Sequence, residues 1–310
     1  MKIFILSPNK DVVFTGDLID KLEIAAGGDL VSCVKPMPLS GVPGLFEEKE
    51  EKILALDPDF CDWKADTRAI AEIPNLKAVC LQTTSFSWID TEYLRGKNIP
   101  VTNLRGFSME AVAEWAMLMA LSLARKIPLV AKGGWNTDFV KYQGIELAGK
   151  TAGVIGLGRN GKRIAELAQG IGMKVIAWSL DESAKEIESV TLPELFSKAD
   201  IIFPCVADNE ETRKLITDAL LRSMKPSAIF VSIIHPEVYN HQLLLDMVKD
   251  GRLYGYGFEN DKPDFLNYVG NIWAGPKIAW ATDGSMHKNG ELWTEAILAA
   301  IKGQFPTKVN

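Results

Sequence analysis

Three glycines lie close together in the middle of the chain, at Gly156, Gly158 and Gly161, in the spacing Gly-x-Gly-x-x-Gly. In a turn between a strand and a helix, the first glycine allows the tight bend, the second leaves room for a pyrophosphate, and the third lets the helix approach the strand. The N–H groups that begin such a helix attract an anion. We therefore predict a dinucleotide site here, which includes Arg159 and Asn160 between the glycines.

The residue that meets the adenosine ribose is expected about 20 residues later, at the end of the next strand. Ser179 occupies this position, and Asp181 and Glu182 follow it. Ser179 alone leaves NADP open as the cofactor. The two carboxylates, with no Arg or Lys before Lys185, would repel the 2′-phosphate of NADP. The sequence therefore favours NAD as the cofactor.

Short apolar runs of strand-forming residues alternate with helical patterns along the chain. Such alternation gives a parallel sheet with helices on both faces. The glycine turn lies between two of these runs, as a βαβ unit requires. The sequence thus predicts an α/β protein, with strands at 2–6, 78–82, 101–103, 151–155, 174–178, 201–204, 229–233, 254–258 and 277–280.

Two further segments carry expectations about local structure. The longest predicted helix covers residues 110–127 and stops at Pro128, because proline cannot continue a helix. Residues 35–63 contain four prolines and form the least regular part of the sequence. The charge run at 47–52 within them is typical of a solvated helix face.

Length and composition limit the class of protein. With 310 residues, 47% of them hydrophobic and 24% charged, the chain is long enough for two globular domains. A net charge of −6 gives no attraction to nucleic acid or to anionic lipid. The most apolar stretch, residues 111–124, is shorter than the roughly 20 residues of a membrane span.

The four cysteines are scattered without Cys-x-x-Cys spacing, so we predict neither disulfides nor a metal site. We therefore expect a cytoplasmic protein, because reducing compartments keep cysteines free. The first residues have too short an apolar run for a signal peptide.

The chain resembles the D-isomer-specific 2-hydroxyacid dehydrogenases over nearly its whole length. The glycine turn carries this resemblance, together with the helix opening at 111–114, the loop at 84–90 and the segments 199–216 and 224–228. The resemblance implies two Rossmann-like, doubly wound parallel-sheet domains. Residues 1–102 and 286–310 would form a flavodoxin-like substrate domain, into which an NAD-binding domain of residues 103–285 is inserted. It also implies a homodimer and hydride transfer between NAD and a small 2-hydroxy or 2-oxo acid.

The resemblance also assigns site residues. In the family, backbone N–H groups of the loop after the fourth strand bind the substrate carboxylate, and Ser85 and Phe86 stand at these positions. Thr212 and Ile233 are assigned to the cofactor. Glu259 stands where the family has an aspartate that contacts the nicotinamide amide.

The catalytic arginine, glutamate and histidine of the family are replaced in this chain. His235 stands in place of the arginine and Lys277 in place of the histidine. The glutamate has no clear equivalent, with Asp261, Lys262 and Asp264 as candidates. Lys277 could act as the general acid or base, and His235 could contact the substrate carbonyl or carboxylate. Alternatively, Lys277 is a solvated surface lysine, and His235 is a loop residue.

Two functions remain open on these residues. The first is an NAD-dependent oxidoreductase with an atypical catalytic set. The second is an NAD(H)-binding protein that has lost dehydrogenase chemistry and acts as a sensor, a scaffold or a non-redox enzyme.

Overall fold

The computed structural model describes residues 1–180, 186–207, 209, 211–234, 236–261 and 265–310. The chain folds as two compact units. The split unit consists of Met1–Ser108 and Thr282–Asn310, and the central unit of Met109–Ala281. The sequence places the domain boundaries at 102/103 and 285/286, whereas the units divide at 108/109 and 281/282.

The order of elements in the described residues alternates strands with helices. The strands are β1 (Lys2–Leu6), β2 (Leu30–Cys33), β3 (Lys52–Leu56), β4 (Leu76–Leu81), β5 (Val101–Thr102), β6 (Thr151–Ile155), β7 (Lys174–Trp178), β8 (Glu188–Ser189), β9 (Ile201–Pro204), β10 (Ile229–Val231), β11 (Gly255–Asn260) and β12 (Ile272–Pro276). The helices are α1 (Lys10–Val13), α2 (Leu18–Ala26), α3 (Thr67–Ala71), α4 (Thr91–Gly96), α5 (Met109–Ala124), α6 (Ile127–Lys132), α7 (Arg159–Gly170), α8 (Leu192–Lys198), α9 (Asp218–Arg222), α10 (His241–Lys249) and α11 (Asp283–Ile301).

The split unit is built on a parallel sheet of five strands in the order β2-β1-β3-β4-β5. This is the strand order of flavodoxin-like folds. Successive residues of β1 enter different cores: Phe4 packs into one cluster and Ile3 into another, as expected for a strand buried on both faces. Trp293 of α11 is fully buried in the second cluster, and its indole N–H donates to the Cys80 carbonyl at 2.9 Å.

A polar cluster joins the carboxyl ends of three strands in the split unit. The Asp57 carboxylate, just after β3, accepts the Ser7 hydroxyl at 2.5 Å and the Asp59 backbone N–H at 2.9 Å. With its amide turned so that nitrogen faces Asp57, Gln82 donates at 3.0 and 3.2 Å. Burial raises the pKa of the Asp57 carboxyl, although the hydrogen bonds to it lower the pKa. The cluster fixes the point at which the loop after β4 leaves the sheet.

The central unit is built on a parallel sheet of seven strands in the order β12-β11-β10-β9-β6-β7-β8. The order reverses between β6 and β9, which is the switch point of a Rossmann fold. Hydrophobic clusters cover both faces of the sheet. The prediction of an α/β protein with two doubly wound parallel sheets is therefore confirmed.

Several local predictions were wrong. The last strand covers Ile272–Pro276 rather than 277–280, and Ile278 and Trp280 are exposed beyond its end. The charge run at 47–52 is not a helix face, because Lys52 is fully buried at the start of β3. Its ammonium group donates to the carbonyls of Glu50 and Pro74, and these bonds make the burial tolerable.

The long helix also ends earlier than predicted. α5 stops at Ala124, and Lys126 adopts a left-handed backbone with φ of +54°. Pro128 lies in the first turn of α6, where a proline is accepted because no N–H is needed there. Within the described part of the chain, no helix combines the length and apolarity that a bilayer crossing needs.

Candidate dinucleotide and substrate sites

The glycine turn connects β6 to α7. Gly156 has a positive φ of +96°, and a Cβ there would lie 3.0 Å from Val206 Cγ1, on the loop after β9. A Cβ on Gly161 would lie 2.0 Å from the Gly156 carbonyl oxygen. Only glycine fits the third position, because the first turn of α7 contacts the backbone of the turn directly. The sequence therefore produces the close helix–strand contact that a dinucleotide fold requires.

The start of α7 has space for a phosphate group and no side-chain cap. Gly158 is the N-cap residue, its missing side chain offers no cap, and a Cβ there would have no neighbour within 4 Å. The N–H groups of Arg159, Asn160 and Gly161 have no acceptor among the described residues. Unpaired N–H groups at a helix start bind anions. These residues fit a dinucleotide pyrophosphate.

Ser179 lies beside the same turn at the end of β7. Its hydroxyl accepts the Leu157 backbone N–H at 3.2 Å, and the Gly156 N–H donates to the Trp178 carbonyl at 2.7 Å. These bonds join the turn to the strand that carries the ribose-binding position. Asp181, the other residue assigned to the ribose, lies outside the described residues.

Thr212 organises the loop after β9, the strand next to β6. Its hydroxyl donates to the Ala207 carbonyl at 2.5 Å and accepts the Asn209 N–H at 3.0 Å. Ile233, two residues beyond β10, is half-buried against the core. Both residues therefore lie beyond the carboxyl ends of strands, where open α/β sheets bind their ligands. His235 lies outside the described residues.

Two carboxylates and a lysine lie near the carboxyl ends of β11 and β12. The two strands run parallel, with Glu259 opposite Gly275. Lys277 follows β12 directly, and its Nζ is 2.7 Å from Asp261 Oδ1. Of the three candidates for the missing glutamate, the structure brings Asp261 to Lys277, while Lys262 and Asp264 lie outside the described residues. Lys277 is partly solvent-accessible, with 43% of its side chain exposed.

Glu259 is half-buried, unlike Asp261. Its Oε1 accepts the Ala279 backbone N–H at 3.0 Å, so the carboxylate holds the turn that carries Lys277. Burial raises the pKa of Glu259, while N–H groups of Ala279 and Ile278 and the charge of Lys277 lower it. The net effect is a carboxyl group that takes up a proton more easily than a free glutamate.

In the split unit, the loop after β4 has fixed carbonyls and free amides. The Ser85 carbonyl accepts the Thr83 hydroxyl at 2.6 Å and the Trp88 indole N–H at 2.9 Å. The Phe86 carbonyl accepts the Ile89 N–H at 3.3 Å. The N–H groups of Ser85 and Phe86 have no acceptor within the described ranges. Consecutive free N–H groups on a rigid loop form an anion-binding surface.

Sequence reasoning did not identify Asn103, which follows β5 and whose side chain bonds to this loop. It is 3% exposed, and its side-chain amide donates to the Thr84 carbonyl at 2.7 Å. An asparagine directly after a short strand was the only signal available.

Comparison with known proteins gives the family. Residues 117–268 match the family model described as the D-isomer specific 2-hydroxyacid dehydrogenase NAD binding domain. The glyoxylate reductase of Thermococcus litoralis is 30% identical over 282 residues, which cover 85% of each chain. This chain belongs to the D-isomer-specific 2-hydroxyacid dehydrogenase family. It is therefore an oxidoreductase of the class that acts on CH–OH donors, with a domain for a nicotinamide dinucleotide.

Solved structures of other proteins share the fold. The structure of an acyclic imino acid reductase, Bsp5, with NADPH and D-Arg superposes with a TM-score of 0.82 at 25% identity, over 100% of both chains. The NAD-complexed form of a D-isomer specific 2-hydroxyacid dehydrogenase from Lactobacillus delbrueckii ssp. bulgaricus gives 0.81 at 20% identity, again over 100% of both chains.

Two glycine substitutions separate folding from cofactor binding. We expect Gly158→Ala to leave the melting temperature unchanged, because its Cβ enters open space. We expect it to weaken NADH binding about tenfold or more, since the methyl group occupies the phosphate position. Gly161→Ala should lower stability by about 1–3 kcal/mol through overpacking. Thermal unfolding and NADH fluorescence titration measure both effects, and NADH binding that is equally strong in Gly158→Ala would contradict the assignment.

The buried carboxyl of Glu259 should appear in the pH dependence of stability. Its pKa is raised in the folded state, so the native protein binds more protons than the unfolded chain between the ordinary and the raised pKa. Stability contributed by the protonated form is therefore lost as pH rises through this window. We expect Glu259→Gln to flatten that loss and to be at least as stable as wild type at pH 7. Urea unfolding between pH 4 and pH 8 tests this, with the exposed Glu188→Gln as control. If Glu259→Gln and wild type show the same dependence of stability on pH, the pKa of Glu259 is not raised in the folded state.

Proposed function

We propose that the protein is an NAD-dependent dehydrogenase that transfers a hydride between nicotinamide and C2 of a small 2-hydroxy or 2-oxo acid. The observation that carries the proposal is the Lys277–Asp261 ion pair. It places a proton-carrying group at the carboxyl ends of β11 and β12. This is the edge of the sheet at which a Rossmann domain holds its dinucleotide.

The cofactor would be held by the glycine turn and its neighbours. The free N–H groups of α7 would bind the pyrophosphate, Ser179 the ribose, and Thr212 and Ile233 would line the site. Glu259 would receive the nicotinamide amide. The bound nicotinamide supplies a hydride in reduction and accepts one in oxidation.

Lys277 would move the proton. In the direction of reduction its ammonium group donates a proton to the carbonyl oxygen, which becomes the hydroxyl of the product. Asp261 would hold the ammonium group in position, because its Oδ1 lies 2.7 Å from Lys277 Nζ. Asp261 would thus be a positioning residue for Lys277.

Substrate recognition would use the loop after β4. The N–H groups of Ser85 and Phe86 would bind the carboxylate of the acid, since they are free on a loop whose carbonyls are fixed. His235 would contact the substrate carbonyl or carboxylate. Two-carbon to six-carbon 2-oxo acids, with glyoxylate among them, are the substrates to test, because the Thermococcus litoralis relative is named a glyoxylate reductase.

The assembly would be a homodimer formed through the central unit. Several large apolar side chains of that unit are exposed, which is costly unless a partner covers them. They are Leu118, Leu121, Trp135, Phe139 and Val140.

The four cysteines are free, which suits a reducing cytoplasm.

The alternative is a protein that binds NAD(H) without redox chemistry, and the exposure of Lys277 favours it. The purified protein is mixed with NADH and a panel of 2-oxo acids, with and without ammonium, and absorbance at the NADH band is followed. Consumption of NADH supports the proposal. Consumption only with ammonium points to imino acids as substrates, and binding of NADH without any consumption overturns the proposal.

Lys277→Met tests the proton-transfer role. We expect kcat to fall about 10²–10⁴-fold, the range for loss of a general acid, with the Kd for NADH unchanged. Asp261→Asn should lower kcat by a smaller factor. Lys198→Met is the matched control, because Lys198 also pairs with a carboxylate on the surface of the central unit. Undiminished turnover in Lys277→Met would refute the role.

Cofactor preference provides a separate test. We expect kcat/KM for NADH to exceed that for NADPH by about tenfold or more, since carboxylates after Ser179 repel a 2′-phosphate. Steady-state rates with both cofactors measure the ratio. A preference for NADPH would show that this electrostatic argument is wrong.

A further inference from the structure

Arg105 lies in the split unit, next to the loop after β4. Its Nε is 3.4 Å from Asn103 Oδ1, and the amide nitrogen of Asn103 donates to the Thr84 carbonyl at 2.7 Å. One buried asparagine therefore contacts both the loop and the arginine. The backbone adds a further link, since the Leu104 N–H donates to the Thr83 carbonyl at 2.9 Å.

Asn103 is a rigid anchor for the guanidinium. It is 3% exposed, and its own N–H donates to the Thr307 carbonyl at 3.2 Å. Both ends of its side-chain amide are engaged, so its orientation is fixed. Arg105 is held through Nε, and no bond of its terminal nitrogens is found among the described residues.

Arg105 carries a positive charge on the surface of the split unit. Among the described residues no carboxylate forms an ion pair with it, and it is exposed. By contrast, Arg95 of the same unit pairs with Glu92. A fixed guanidinium with free terminal nitrogens is suited to bind a carboxylate through two parallel hydrogen bonds.

The proposed function leaves one electrostatic requirement unmet. The N–H groups of Ser85 and Phe86 provide only partial positive charge for a carboxylate. His235 stands where the family has an arginine, and a histidine is only fractionally charged at neutral pH. A full positive charge beside the loop would meet this requirement.

We propose that Arg105 binds the C1 carboxylate of the substrate together with the N–H groups of Ser85 and Phe86. This inference rests on the proposed function and deepens it. In this proposal, the positive charge comes from a guanidinium of the split unit that Asn103 holds. Arg105 makes the enzyme select anionic 2-oxo acids over their uncharged esters.

Arg105→Met and Arg105→Lys are tested with the 2-oxo acid that wild type reduces fastest. We expect Arg105→Met to raise KM for that acid at least tenfold, with kcat within about threefold and KM for NADH unchanged. A higher KM with nearly unchanged kcat means that the lost interaction stabilised the ground state and the transition state equally. The KM of Arg105→Lys should lie between those of wild type and Arg105→Met, because lysine keeps the charge and loses the bidentate geometry. Arg95→Met is the matched control.

Three further measurements exclude a merely structural effect. Binding of oxamate, an unreactive carboxylate, to the NADH complex should weaken at least tenfold in Arg105→Met by calorimetry, while its melting temperature matches wild type. The preference of wild type for the acid over its methyl ester should shrink by a similar factor. Added guanidinium should restore part of the activity.

The outcomes separate this inference from the proposed function. If wild type reduces 2-oxo acids and Arg105→Met keeps the wild-type KM and oxamate affinity, the assignment of Arg105 is wrong and the proposed function stands. A rise in KM confined to dicarboxylic acids would place Arg105 at a distal carboxylate and also overturn the assignment. If wild type reduces no 2-oxo acid, both fail.

Discussion

The central unit depends on one close contact, between the first turn of α7 and the backbone of the glycine turn. A side chain at Gly161 would have to occupy space 2.0 Å from the Gly156 carbonyl oxygen. The contact directs the start of α7, with its unpaired N–H groups, toward the carboxyl edge of the sheet. Because all observed pairings in the sheet are parallel, residues that follow β9, β10, β11 and β12 reach the same edge. The position of every candidate cofactor residue follows from this geometry.

The split unit applies the same constraint to a different ligand. Its parallel sheet brings the ends of β1, β3 and β4 together, and Asp57 binds them into one polar cluster. From this fixed point emerges a loop in which the Ser85 carbonyl accepts the Thr83 hydroxyl and the Trp88 indole N–H. The N–H groups of Ser85 and Phe86 have no acceptor in the described part of the chain. A rigid loop of this kind can bind an anion without the cost of ordering it. Each unit thus presents backbone N–H groups, at 159–161 and at 85–86, that have no acceptor among the described residues and can bind an anion.

Side chains supply the full charges that backbone amides lack. Lys277 and Asp261 form an ion pair, and Glu259 stabilises the turn that carries Lys277 by accepting the Ala279 N–H. Arg105 is the corresponding cation of the split unit. Each charge is held near a strand end by a hydrogen bond or an ion pair. Charge and geometry, rather than residue identity, are what the chemistry requires.

The sequence by itself determined the fold class, the glycine turn and the bounds of β1, β6, β7 and β9. It could do so because buried parallel strands leave continuous apolar runs, and because glycine spacing has a local meaning. It misplaced β12. It also missed β3, because prolines and charges in the surrounding sequence obscure a short apolar strand. Only the tertiary structure decided that Lys52 is buried, that Asp261 meets Lys277 and that Asn103 joins Thr84 to Arg105. Most of these contacts join residues far apart in sequence or beyond the ends of different strands, and no local pattern records which of them will meet.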